Sequence, residues 1–138
     1  INVMGSFLCA REAVRRMSTT EGGRGGSIVN VSSSAARLGA AHQYVDYAAA
    51  KGAIDVMTLG LAHEVGPQGI RVNAVRPGLI ETDIHASGGQ PDRVARLAAT
   101  LPLQRGGSAQ EVAEAIYWLM SDHSSYSTAA IIDCSGGR

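Results

Sequence analysis

"SIVNVSSSAARLGAAHQYVDYAAAKGAIDVMTLGLAHEVGPQGIRVNAV", residues 27–75, holds two kinds of periodicity side by side. It opens on a short β-branched run, 27–31, which reads as a strand. "SSSAARLGAAHQ" then reads as a loop, and the Ala-rich stretch 44–65 as one long helix ending at Gly66-Pro67. "IRVNAV", 70–75, is a second strand, stopped by Pro77-Gly78. Strand, helix and strand in that order predict two parallel strands joined by a crossover helix.

The same rhythm extends in both directions. From Ile1 to about Ser18 apolar residues recur at helical spacing (Val3, Phe7, Leu8, Ala10, Val14, Met17), and Arg15 and Arg16 suit a helix C-terminus. "EGGRGG", 21–26, is read as a flexible surface turn, since no phosphate-binding Lys-Ser/Thr follows it. Residues 79–107 are irregular, with helical patches around 82–86 and 91–99; so long a segment between strands is usually a lid or binding loop. Ser108 and Glu111 make a capping box at the head of an amphipathic helix, on which Tyr117, Trp118 and Met120 are most simply core. "AAIIDC", 129–134, is a last strand.

This order predicts an α/β fold: the C-terminal half of a doubly wound, Rossmann-like parallel sheet with helices on both faces. Three strands are few for such a sheet. Residues 1–138 then form one partial domain that lacks the N-terminal glycine-rich dinucleotide-binding half. The chain begins on Ile1, already inside a helical pattern, as a piece of something longer would.

Composition narrows the function. Of 138 residues 45% are hydrophobic and 17% charged, with no net charge, so the chain is globular and carries no nucleic-acid footprint or basic membrane patch. No apolar run approaches the ~20 residues of a membrane helix, and the start lacks the pattern of a secretory signal. Cys9 and Cys134 lie far apart without metal-ligand spacing, and read as reduced, mostly buried thiols of a cytoplasmic protein. No His/Cys/Asp grouping has metal spacing.

Chemistry concentrates at Tyr47 and Lys51. At i and i+4 on a helix they share a face. A free phenol has a pKa of about 10, and a nearby cation favours its phenolate, so such a Tyr can move protons near neutral pH. The spacing alone is equally that of a surface Lys beside a half-buried Tyr. A hydroxyl cluster, Ser32-Ser33-Ser34, stands just off a strand end, where loops line the ligand crevice of an open α/β sheet.

"NVMGSF" at 2–7, "GSIVNVSS" at 26–33, "YAAAK" at 47–51, "RVNAVRPGLIETD" at 71–83 and "PLQRGGSAQEVAEAIYWLMSD" at 102–122 follow one another in this order. Jointly they resemble the short-chain dehydrogenase/reductase family, in its single-domain branch, over essentially the whole chain. The resemblance implies an NAD(P)-dependent oxidoreductase acting on a carbonyl or alcohol. It makes Tyr47 the proton donor or acceptor. Lys51 would hold the nicotinamide ribose and lower the Tyr pKa. Asn2 would help hold a relay water; read locally, it is a helix-terminal Asn satisfying backbone groups. A serine would bond the substrate oxygen: counting from the strand gives Ser33, and counting thirteen residues back from Tyr47 gives Ser34. The stiffer strand end favours Ser33. Pro77, Gly78, Ile80 and Thr82 would close on the nicotinamide, although Pro-Gly also simply ends a strand.

His85, in the loop "HASGGQPDR", and His42 are minor candidates for substrate contact, while His63 and His123 read as surface residues. The resemblance further implies a homo-oligomer, dimer or tetramer, built through helices 1–18 and 44–65, with Trp118 near a subunit interface. The ending "CSGG" and Arg76 ahead of Pro77 depart from the family's habit. The residues that choose between NAD and NADP are absent from these 138, as is the pyrophosphate turn. Sugar alcohols, 3-oxoacyl thioesters and small ketones remain open as substrates, with the polar loop leaning toward a sugar. The competing hypothesis is a non-catalytic fragment that acts at most as an oligomerisation module.

Overall fold

A computed structural model describes residues 2–138; Ile1, where the first helical pattern begins, lies outside the described residues. Helix α1 spans Met4–Met17 and ends at Ser18, whose N–H returns to the Val14 carbonyl. Strand β1 is Gly26–Val31, a short helix α2 is Ala35–Leu38, α3 is Val45–Val65 and β2 is Ile70–Pro77. After β3 (Ile80–Glu81) come α4 (Ile84–Ser87) and α5 (Arg93–Ala98), then β4 (Gly107–Ser108), α6 (Ala109–Met120) and β5 (Ile131–Cys134).

The main sheet is parallel with order β1-β2-β5, so β1 lies at one edge. β1 and β2 are in register from Gly26↔Ile70 to Val31↔Val75, and β2 and β5 from Ala74↔Ile131 to Pro77↔Cys134. β2 thus runs through Pro77 rather than stopping before it. The missing proline N–H is tolerated because the Pro77 carbonyl accepts from Ser34 N–H (2.9 Å) and Gly78 N–H donates to the Cys134 carbonyl (2.9 Å).

Helices cover both faces. On one, Ala62 and Val65 of α3 pack with Ile70 and Val72 of β2, joined by Val14 and Met17 of α1. On the other, Ser27 and Arg71 both donate to the Leu119 carbonyl of α6. Arg71 also donates to the Ser121 and Ser127 carbonyls, placing its charge at the C-terminal end of that helix, where the dipole favours a cation. Leu119 and Val72 are fully buried, a burial of about 1.5–3 kcal/mol per side chain.

Several expectations need correction. The loop after β1 contains α2, whose four residues are too few to display a period. The irregular segment is tied at its ends by a two-residue parallel ladder, Ile80↔Gly107 and Glu81↔Ser108, between strands far apart in sequence. "EGGRGG" is a close-packed turn: a Cβ on Gly25, at φ +76°, would lie 2.4 Å from the Gly69 carbonyl oxygen. Tyr117, Trp118 and Met120 are exposed, because α6 turns Val112 and Leu119 to the sheet instead. Cys9 is exposed on α1 rather than buried, and both cysteines are free. Burial pushes the Cys134 thiol up, with Asp133 and Glu111 adding to the effect.

Candidate active site

The end of β1 meets α3 through the Lys51–Val31 and Ser32–Lys51 bonds, and the loop after β1 meets the end of β2 through Ser34 N–H and the Pro77 carbonyl, which brings Lys51, the three serines and Pro77 to the C-terminal ends of these strands. Tyr47 and Lys51 do lie on one face of α3. The Lys51 ammonium sits 5.7 Å from the centre of the Tyr47 ring and donates to the Val31 carbonyl at the end of β1 (2.8 Å). Burial lowers the Lys51 pKa, and the charge of Asp55 works in the opposite direction. Tyr47 is half-buried, and among the described residues its hydroxyl makes no hydrogen bond.

The serines differ in what they can reach. Ser32 is buried, and its hydroxyl donates to the Lys51 backbone carbonyl (3.2 Å). Ser34 is buried and heads α2. Ser33 is half-buried and accepts from Ala35 N–H (3.2 Å).

Pro77 and Gly78 lie between the ends of β1 and β5 through the backbone bonds given above. Gly78 has an additional structural reason to be glycine: a Cβ there would lie 2.6 Å from Ser135 Cα. Ile80 belongs to β3, and its carbonyl is bonded to His85 Nε2 (2.8 Å), so this histidine holds its own segment. Thr82 is exposed just beyond. Asn2 is exposed ahead of α1; its carbonyl accepts from the Ser6 hydroxyl (2.8 Å), and no hydrogen bond among the described residues ties its side chain to Tyr47, Lys51 or Ser33. His42 is exposed with φ 61°.

Three features escaped the sequence reading. The amide of Gln90 donates to the Tyr44 hydroxyl (2.9 Å), while Arg93 donates to Gln43 and Gln90 and stacks 5.8 Å from the Tyr44 ring centre, tying α5 to the head of α3. Asp55, one turn beyond Lys51, is buried and paired with Arg76 (2.9 Å). Lys51 is the single lysine among twelve basic residues, a signal that was available in the sequence.

A family model described as Enoyl-(Acyl carrier protein) reductase matches residues 1–138. The uncharacterized oxidoreductase YgfF of Escherichia coli (strain K12) is 62% identical over 137 residues, 99% of this chain and 56% of that protein.

The chain belongs to the short-chain dehydrogenase/reductase family.

Solved structures agree in fold with this family membership. A short-chain type dehydrogenase/reductase from Mycobacterium ulcerans superposes with TM-score 0.85 at 36% identity, over 99% of this chain and 48% of that one. A structure described as ribose-5-phosphate isomerase from Brucella melitensis 16M gives TM-score 0.87 at 31% identity, over 99% and 52%. The chain spans about half the length of the curated relatives it matches. No metal-binding group of His, Cys, Asp or Glu occurs among the described residues. No described helix is long and apolar enough to cross a membrane.

Proposed function

We propose that the chain carries the chemical part of an NAD(P)-dependent oxidoreductase, which moves a hydride between nicotinamide and a carbonyl or hydroxyl carbon. The observation that carries this is the Tyr47–Lys51 pair, with its ammonium beside the phenol ring and anchored on the Val31 carbonyl. Lys51 spends one N–H on that carbonyl and keeps two donors, a set that suits the two hydroxyls of a ribose. NAD or NADP, when bound, supplies the hydride chemistry.

The remaining work falls to the chain. Tyr47 takes the proton from an alcohol oxygen in oxidation and returns it in reduction. Ser33 orients that oxygen; its partial exposure suits this better than the burial of Ser32 or Ser34. Pro77, Gly78, Ile80 and Thr82 would form the rim that holds the nicotinamide, and Asn2 would hold a water of the proton relay. Residues 1–138 do not themselves contain the glycine-rich seat for the pyrophosphate. The polar side chains of Gln43, Gln90 and Arg93 near Tyr44 favour a hydroxyl-rich substrate over a plain ketone.

Exposed Phe7 and Leu8 on α1, and Val56 and Leu59 on α3, support a homo-oligomer built from these two helices. A cytoplasmic location completes the proposal.

The test is a screen of the whole protein with NADH and NADPH, in both directions, against sugar alcohols, 3-oxoacyl thioesters and small ketones. Turnover in one class that is lost in Tyr47→Phe supports the reading. Turnover that survives Tyr47→Phe overturns it.

A further inference from the structure

A lysine and an aspartate four residues apart on a helix are neighbours, close enough to pair. Lys51 and Asp55 stand at that spacing on α3, yet the ammonium donates to the Val31 carbonyl (2.8 Å) and no Lys51–Asp55 ion pair forms among the described residues. Asp55 belongs to Arg76 instead: Nε and Nη2 both lie 2.9 Å from Oδ2. Asp55 is only 7% exposed, and its Oδ1 has no hydrogen-bond partner. Arg76 is braced from the far side as well. Its Nη1 is 3.8 Å from Asp133 Oδ1, on the residue registered beside it in β5, and Asp133 Oδ2 is 3.6 Å from Arg37 Nη1 of α2.

We propose that Arg76 is a positioning residue for the site: by holding Asp55 against β2, it keeps that carboxylate from capturing Lys51 and leaves the ammonium on Val31 beside the Tyr47 ring. A buried carboxylate takes whatever donor can reach it, because leaving a buried charge bare is strongly destabilising. With Arg76 present, two N–H groups in a fixed fork fill Oδ2. With Arg76 gone, the cation one turn back on a flexible four-carbon stem becomes the natural partner. What Lys51 does for catalysis rests on the reading above; where Lys51 sits is a property of the chain alone.

Lys51 is the single lysine among residues 1–138, and in the whole protein labelled with 13C-lysine its ε-carbon signal, assigned by its loss in Lys51→Arg, can be followed by NMR across pH. Tyr47 lies beside the ammonium and the charge of Asp55 reaches it; behind Asp55 the ion pairs run in series through Arg76 on β2 and Asp133 on β5 to Arg37 on α2, while the contact from β1 is the Val31 carbonyl. In Arg76→Met the Lys51 midpoint is expected to rise by roughly one pH unit, since Asp55 is no longer neutralised. In Arg76→Met with Asp55→Asn it falls back. Arg76→Gln, which keeps an N–H donor for Asp55 but removes the charge, is the second variant where Arg76→Met does not fold, and is expected to raise the midpoint in the same direction. An unchanged midpoint in a folded Arg76→Met or Arg76→Gln overturns the proposal, as does a double variant that stays raised. None of these measurements uses substrate or cofactor, so a failed search for turnover leaves their result standing.

Discussion

The Ser32 hydroxyl donates to the Lys51 backbone carbonyl at 3.2 Å, while the Lys51 ammonium donates to the carbonyl of Val31, the residue before Ser32. The end of β1 and the second turn of α3 are therefore stitched together twice. Ser32 is buried, so its hydroxyl acts as a clamp. Ser32→Ala should cost about 1 kcal/mol, the usual net value of an internal hydrogen bond. Urea unfolding checks this; an unchanged midpoint would mean that the clamp contributes nothing.

Tyr47→Phe removes a hydroxyl that makes no hydrogen bond among the described residues and keeps the ring that lies beside the Lys51 ammonium. A positioned general acid or base contributes about 10²–10⁴-fold. The whole protein should lose at least that much in kcat, while its affinity for NADH or NADPH, measured by calorimetry, stays nearly the same. A loss confined to cofactor affinity would count against the proton-transfer role.

Gly78→Ala should destabilise the chain even with nothing bound. The new Cβ would lie 2.6 Å from Ser135 Cα, beside the bond from Gly78 N–H to the Cys134 carbonyl. Neither backbone can yield without disturbing the other, and overpacking of this kind costs about 1–3 kcal/mol. Thermal unfolding of the unliganded protein is the check; an unshifted transition would mean that the end of β5 moves freely.

Acid should weaken the entry to α6. The Arg105 side chain, bonded at 2.9 Å, and the Ser108 N–H hold the Glu111 carboxyl down to about 2 from an ordinary 4.5. Since the folded value lies below the unfolded one, the stabilisation is complete above about 4.5 and is lost as pH falls through about 2. Glu111→Gln should flatten the stability curve across that window and leave its slope above it unchanged. A curve of the same slope in the variant would contradict this.

Val56, 70% exposed in the middle of α3, is the most exposed large apolar side chain on that helix. If α1 and α3 join copies of the whole protein, Val56→Glu should lower its sedimentation mass while its circular dichroism is kept. A wild-type mass in the variant would remove α3 from the contact.

The parts of the fold legible in the sequence were those with a composition or period sustained over several residues. The apolar, β-branched runs of β1, β2 and β5, the alanines of α3 and the helical spacing of α1 and α6 are such signals, and the alternation of these elements specifies a parallel sheet. α2 and the β3–β4 ladder left no trace, because two to four residues carry no period and the ladder joins positions more than twenty apart. Tyr117, Trp118 and Met120 misled because residue type says what a side chain prefers, while the rotation of α6 is fixed by where Val112 and Leu119 find the sheet. At the site, the Tyr47–Lys51 spacing was visible, but the backbone carbonyl that anchors the ammonium was not, since a carbonyl has no letter. Asp55 and Arg76 stand twenty-one residues apart, and only the pairing of α3 with β2 brings them together.

Among the described residues β1 has a hydrogen-bonded neighbour on one side only. The amide and carbonyl groups along its other margin are an open template for any extended segment that drifts against it. Kept concentrated by itself, the 138-residue chain should therefore accrete with time into strand-paired aggregates, and a lysine or proline introduced at a solvent-facing position of that margin should slow their growth.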